Sequence, residues 1–259
     1  MRKRRQAGPE IRLKTEAEID IMRRSGKITA LALDKIGKAI RPGITTAELN
    51  IIAENAIRGL GALPAFLGYH QYPATTCISI NDEVVHGIPG GRIVREGDLV
   101  SVDMGAILEG WYSDSAWTFP VGPATAAQQR LMEAGIDGLA AGIAAAMPGN
   151  RLRDIANAVQ QVAESRGYSV VRDLCGHGIG RRMHEDPQVP NYVGAVGENL
   201  ILRAGMTLAI EPMINAGRAE VTNQPDGWLF TTDDGSLSVH FEHTVVIRAE
   251  GAEILTKLR

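Results

Sequence analysis

Cysteine is scarce in this 259-residue chain. Cys77 and Cys175 are the only two, too few for a disulfide framework and without the spacing of a structural zinc site. That scarcity fits a reducing compartment, and the cytoplasm is the expected location. An excess of charge of either sign is also missing. The formal net charge of −3 gives no general pull toward nucleic acid or an anionic membrane. Long apolar runs are absent as well: the most apolar helical stretch, Leu139 to Met147, is short and rich in alanine and glycine, so no membrane span is expected. The basic tip Arg2-Lys3-Arg4-Arg5 has no apolar h-region behind it, because Gln6, Gly8, Pro9 and Glu10 follow. A signal peptide is therefore not expected. Residues 1–10 read as a flexible, solvated basic tail that permits at most a transient contact with a ribosome.

What is present suffices for a core, with 44% hydrophobic residues against 22% charged. Thr15 to Ile40 has a helical pattern, opened by a capping box of Thr15 and Glu18 and lined by Ile19, Met22, Ile28 and Leu31. Pro42-Gly43 stops it. A second helix opens on Thr45 with Glu48 and runs to about Gly59. A β-rich segment near Thr75 to Ile80 follows, then a hairpin around Glu109-Gly110. Helical patterns return at about Ala124 to Met147 and Leu152 to Arg166, and the chain closes on strands that include Ser236 to Ile247.

This order contains a repeat. REGDLVSVD (Arg95 to Asp103) is answered by RAGMTLAIE (Arg203 to Glu211): arginine, any residue, glycine, then an aliphatic strand ending in a carboxylate. Upstream, Pro42-Gly43 and a helix match Pro148-Gly149 and a helix. Downstream, the strand with Asp114 matches the strand with Glu242. Three matches in one order predict two similar halves with no linker between them, and residues 11–259 are expected to form a single domain with pseudo-twofold symmetry.

The hairpin carries a further signal. With its turn at Glu109-Gly110, Leu108 pairs with Trp111 and Gly105 with Asp114, so Asp103 lies diagonal to Asp114 on one face. Diagonal neighbours stand roughly 7–8 Å apart at the backbone. Trp111, Tyr112, Trp117 and Phe119 make the hairpin look packed, and buried carboxylates repel one another unless a cation neutralises them. Glu211 ends the apolar strand MTLAIEPM. In SVHFEHTVV, strict alternation puts Ser238, His240, Glu242 and Thr244 on one face and Val239, Phe241, His243 and Val245 on the other. Joining the halves about their pseudo-twofold would bring Asp103, Asp114, Glu211 and Glu242 to one centre. Two divalent cations would balance their four charges, as in dinuclear hydrolytic sites with metals about 3.5–4 Å apart.

An isolated histidine is more often a surface or satisfied core residue than a ligand. His70 and His240 are left at that reading, and His243 is expected to pack. His86 in NDEVVHGIPGG, His177 in CGHGIG and His184 in RRMHEDPQVPNY stand in glycine- or proline-rich contexts and rise above it. One imidazole beside four carboxylates suits divalent Mn, Fe, Co or Zn.

The order Asp103, Asp114, His177, Glu211, Glu242, with GHGIG, IEPM and FEHT around the last three, resembles the type I methionine aminopeptidases. GYHQYPATTCISINDEVVHGIPG, HEDPQVPNY and DGWLF extend the match over nearly the whole chain from about Ile11. The resemblance implies an α+β pita-bread fold of the creatinase/aminopeptidase kind, with two pseudo-symmetric helix-helix-β halves around a central antiparallel sheet. It implies two divalent metal ions on Asp103, Asp114, His177, Glu211 and Glu242, with Asp114 and Glu242 bridging. Glu211 would handle the proton of the attacking water, His184 would stabilise the tetrahedral intermediate, and His86 would contact substrate near the scissile amide. Tyr69, Tyr72, Cys77 and Trp228 would wall the methionine pocket. Implied substrates are nascent polypeptides and short peptides with N-terminal methionine and a small second residue, cleaved by a monomer. Met183 stands where phenylalanine is common in that family, and Phe66 where a smaller residue often occurs. The alternatives are an aminopeptidase P or prolidase on the same fold, and a non-catalytic binding homologue.

Overall fold

The computed structural model describes residues 11–258, so the basic tip at Arg2–Arg5 lies outside the described residues. The first half opens with α1 (Glu16–Ala39) and α2 (Thr46–Gly59). Both begin as their capping boxes predict: the Thr15 and Thr45 hydroxyls accept from the amides of Glu18 and Glu48, whose carboxylates accept in return. Strands β1 (Leu63–Pro64), β2 (Thr76–Ile80), β3 (Glu83–Val85), β4 (Leu99–Leu108) and β5 (Trp111–Pro120) follow. The β4–β5 hairpin has the expected register, Leu108 opposite Trp111 and Gly105 opposite Asp114. Its turn residues Glu109 and Gly110 both take positive φ (52° and 78°), the left-handed pair that a two-residue hairpin loop demands.

The second half repeats the plan with α3 (Ala126–Ala145) and α4 (Leu152–Ser165). Short strands follow: β6 (Ser169–Val170), β7 (Gly176–Gly178), β8 (Glu185–Val189), β9 (Thr207–Ile210) and β10 (Met213–Asn215). Then come β11 (Val221–Asn223), β12 (Phe230–Thr232), β13 (Ser238–His240), β14 (His243–Arg248) and β15 (Gly251–Ile254). The repeat extends to backbone detail. Gly43 and Gly149 have φ of 91° and 93°, and their amides donate to Val94 and Leu202 carbonyls at 2.9 Å each. Gly97 and Gly205 have φ of 87° and 88° and donate to Val121 and Ile247. Each half buries its own apolar cluster, one around Ile36, Leu49, Ile57, Val100 and Val102, the other around Leu152, Ile155, Leu208, Ile210 and Phe241.

Helix α3 approaches its sheet closely. A Cβ at Gly135 would collide with the Phe241 ring, so the glycine sets the spacing there. The halves meet where β5 runs beside β13 and β14. The Asp114 amide donates to Thr244 Oγ1 at 2.9 Å, and that hydroxyl donates to the Asp114 carbonyl at 2.8 Å. The Glu242 amide donates to the Ala116 carbonyl at 2.9 Å.

One expectation changes in detail. Ser236 to Ile247 is not one alternating strand but two, broken at Phe241-Glu242. Across the break the chain bonds to β5: Thr118 Oγ1 donates to the His240 carbonyl and Ser115 Oγ to the Glu242 carbonyl. Among the described residues no helix is long and apolar enough to cross a membrane.

Candidate metal centre

The seam between the halves brings the acidic residues together. Asp114 comes from β5, Glu242 from the break between β13 and β14, and His177 from β7; one ligand atom of each lies within 4.8 Å of the others. Glu211, immediately after β9, places Oε1 3.6 Å from His177 Nε2. Asp103, on β4, lines the same cavity as Asp114. All five residues thus share one floor, beneath a cavity of about 660 Å³.

The electrostatics of this floor are those of a cation site. Asp114, His177 and Glu242 are buried, and Asp103 and Glu211 are nearly so. Burial, then mutual repulsion, pushes Asp103, Glu211 and Glu242 well above the ordinary carboxylate range. Burial lifts Asp114 to about 7. Asp103 Oδ1, Asp114 Oδ1 and Glu242 Oε1 are buried with no hydrogen-bond partner. Such oxygens are costly unless protonated or coordinated. Burial and then the neighbouring His184 lower His177 to about 3, so it is neutral. Its Nδ1 lies 2.9 Å from the Gly178 carbonyl, so Nδ1 carries the proton and the lone pair on Nε2 faces the acids. Four carboxylates and one imidazole lone pair fit divalent metal ions.

The walls come from other elements. Phe66, Tyr72, Cys77 and Met183 pack together as a buried apolar group, with Tyr69 and Trp228 against it. The Tyr72 and Trp228 rings meet edge to face at 5.0 Å. The Cys77 thiol is pushed up by burial and Cys175 to about 11; both are free thiols. His86 takes positive φ (63°), a strained conformation for a non-glycine residue, and lines the cavity. Its neighbour Gly87 is pinned there, because a Cβ would strike the Ile78 carbonyl. Burial, then His184, lowers His86 to about 4. His184 lies at the exposed mouth, its Nδ1 2.7 Å from the Tyr69 hydroxyl and its ring 4.1 Å from that of His177. His243 packs, as expected, with Nδ1 at 3.0 Å from Thr256 and its ring against Trp117.

The family model of metallopeptidase family M24 matches residues 20–249. A methionine aminopeptidase of Clostridium perfringens is 49% identical over 247 residues, covering 95% of this chain and 99% of that protein. This chain belongs to the methionine aminopeptidases. The crystal structure of the methionine aminopeptidase from Thermotoga maritima superposes with a TM-score of 0.93 at 45% identity, covering 96% of this chain and all of that one. Prolidase from Pyrococcus furiosus shares the fold more distantly, with a TM-score of 0.78 at 26% identity and 66% of its chain covered. The fold is therefore the pita-bread fold of these enzymes, and a metallopeptidase of this family binds divalent metal.

Two residues escaped the sequence reading. His240 is buried, with Nε2 3.8 Å from Glu211 Oε2 and no hydrogen-bond partner on that nitrogen. The alternation had put it on the Glu242 face, which was the available signal. Asn191, in the HEDPQVPNY stretch, donates from Nδ2 to the Glu211 carbonyl at 3.1 Å. Nothing in its spacing announces that role.

Proposed function

We propose that the protein removes N-terminal methionine from nascent polypeptides and short peptides, using two divalent metal ions held by Asp103, Asp114, His177, Glu211 and Glu242. The observation that carries this reading is the set of buried, partnerless carboxylate oxygens beneath an aromatic and sulfur-lined cavity. When bound, the metals supply Lewis acidity to the scissile carbonyl and to the attacking water. The relatives' names supply the substrate, and the wall chemistry supports it, since a polarizable thioether side chain suits Phe66, Tyr72, Cys77, Met183 and Trp228.

The chain's own groups do the rest. Glu211 takes the proton of the attacking water at a carboxylate oxygen and returns it to the leaving amine. Burial, then His70, lowers His184, which favours the neutral imidazole. The Tyr69 hydroxyl stands 2.7 Å from His184 Nδ1; in the tautomer that accepts there, the His184 proton sits on Nε2 and donates to the oxygen that gains charge in the tetrahedral intermediate. His86 contacts the substrate beside the scissile amide. Phe66 and Met183 shape the pocket wall, and the family resemblance implies a small second residue in the substrate. Residues 11–259 act as one catalytic unit, as a monomer, in the cytoplasm.

The test strips the protein of metal, reloads it with Mn, Fe, Co or Zn in turn, and assays Met-Ala-Ser against an Ala-Pro peptide. Cleavage of Met-Ala-Ser that returns with metal supports the reading. Preference for the Ala-Pro peptide would favour the prolidase alternative, and inactivity with every metal would favour a binding homologue.

A further inference from the structure

We propose that Lys14 and Glu185 are positioning residues for His184, a buried ion pair that ties the segment before α1 to the loop presenting His184. The inference rests on the catalytic reading of His184. Lys14 Nζ donates to Glu185 Oε2 at 2.7 Å, and the two side chains are only 3% and 9% exposed. Every other lysine or arginine ion pair among the described residues leaves its cation at least 26% exposed. Exposed pairs contribute little and can arise without consequence. A buried pair carries a large desolvation cost and is weak evidence for stability alone, so its geometry calls for another explanation.

That geometry points at one loop. Glu185 Oε1 accepts from the Arg181 amide at 2.7 Å and the Arg182 amide at 3.2 Å, while Oε2 takes Lys14. The carboxylate thus closes residues 181–185 into a compact turn whose last member before Glu185 is His184. Burial would raise the Glu185 carboxyl, but Lys14 and the two amides outweigh it and hold it below the usual range. Lys14 is fixed from the other side, with Nζ donating to the Arg12 carbonyl at 3.2 Å and its own amide to the Gly205 carbonyl at 2.8 Å. Gly180, last glycine of GHGIG, makes room: a Cβ there would stand 2.7 Å from both Lys14 Cε and Glu185 Oε1. His184 itself has a side-chain anchor in the Tyr69 hydroxyl, while the turn that carries it is tied down by the Glu185 carboxylate on the Arg181 and Arg182 amides.

Loss of the Lys14 charge leaves the Glu185 carboxylate buried without its cation. The carboxylate then turns to water, releases the Arg181 and Arg182 amides, and lets His184 drift from the reacting carbonyl. Displacements of this order cost about 10²-fold in rate when the group is catalytic.

The experiment compares wild type, Lys14→Met, Glu185→Gln and the double variant, all metal-loaded. It reads kcat and KM on Met-Ala-Ser, bound metal, and amide hydrogen exchange across residues 179–185. The expected result is a fall in kcat of about tenfold or more in each single variant. KM and bound metal should change little, and exchange in 179–185 should rise. The double variant should be about as slow as either single one, because the two side chains act as a unit. If Lys14→Met does not fold, the double variant, which buries no lone charge, carries the test. Wild-type kcat in a folded variant, losses that multiply in the double variant, or unchanged exchange in 179–185 would each overturn the pairing. If wild type itself does not cleave methionyl peptides, the proposed function fails separately; the exchange result then decides whether Lys14 and Glu185 hold the loop.

Discussion

Each acid at the seam is ordinary in sequence and unusual in place. Asp103 and Asp114 were legible because a two-residue turn at Glu109-Gly110 fixes which side chains of a hairpin share a face. Glu211 was legible as a charge ending an apolar strand. His240 shared the Glu242 face by alternation, but its approach to Glu211, 29 positions away and just past the end of β9, was not readable. The same holds for Lys14 and Glu185, which lie 171 positions apart. Two predictions belong here. His184→Ala should keep its metal and lose about 10²–10⁴-fold in turnover, the usual worth of a positioned proton donor; bound metal and kcat measured on one preparation check it. The second concerns pH. The buried imidazoles His86, His177, His240 and His243 are lowered to about 3 or 4, so the native state keeps them neutral while the unfolded chain protonates them. Their contribution to stability rises with pH and is complete above about 6.5. The acids oppose them. Asp114 is raised to about 7 and its three neighbours well above the ordinary carboxylate range, so the stability they contribute is present below the unfolded value and lost as pH rises through the folded one. Chelator-treated protein should therefore melt at a lower temperature at pH 8 than at pH 6.5, and added metal should remove the difference. A Tm in chelator that rises over this window would contradict it.

At the scale of elements, the capping boxes at Thr15 and Thr45 made the starts of α1 and α2 readable, and helical patterning placed α3 and α4 nearly to their ends. The break at Phe241-Glu242 was hidden, because local alternation continues through it. Its cause is long-range: Ser115, Ala116 and Thr118 on β5 take up the hydrogen bonds of that stretch. Gly135 shows the same limit. In an open helix, glycine to alanine gains roughly 1 kcal/mol. At Gly135 the new methyl group meets the Phe241 ring, beside Glu242. Gly135→Ala should instead destabilise by about 1–3 kcal/mol through overpacking. Urea denaturation of both proteins, with metal content measured alongside, would register the loss; a stabilised variant would show that α3 has room to spare.

For the whole molecule, the repeat explains why the centre exists. Each half supplies carboxylates, and neither half alone assembles the set: Asp103 and Asp114 come from one side of the seam, and His177, Glu211 and Glu242 from the other. Three sequence matches in order revealed the halves, and the paired turns at Gly43 and Gly149 and at Gly97 and Gly205 express them in backbone form. That they would meet at the acids was expected; the bonds that lock them were not readable, because the Asp114–Thr244 and Ala116–Glu242 links join residues more than a hundred positions apart. The most direct measurement counts divalent ions bound per chain in wild type and in Glu242→Ala, and assays both on Met-Ala-Ser. Shared coordination across the seam predicts two ions and cleavage in wild type, with fewer ions and no cleavage in the variant. Full cleavage by a variant that still binds two ions would contradict it.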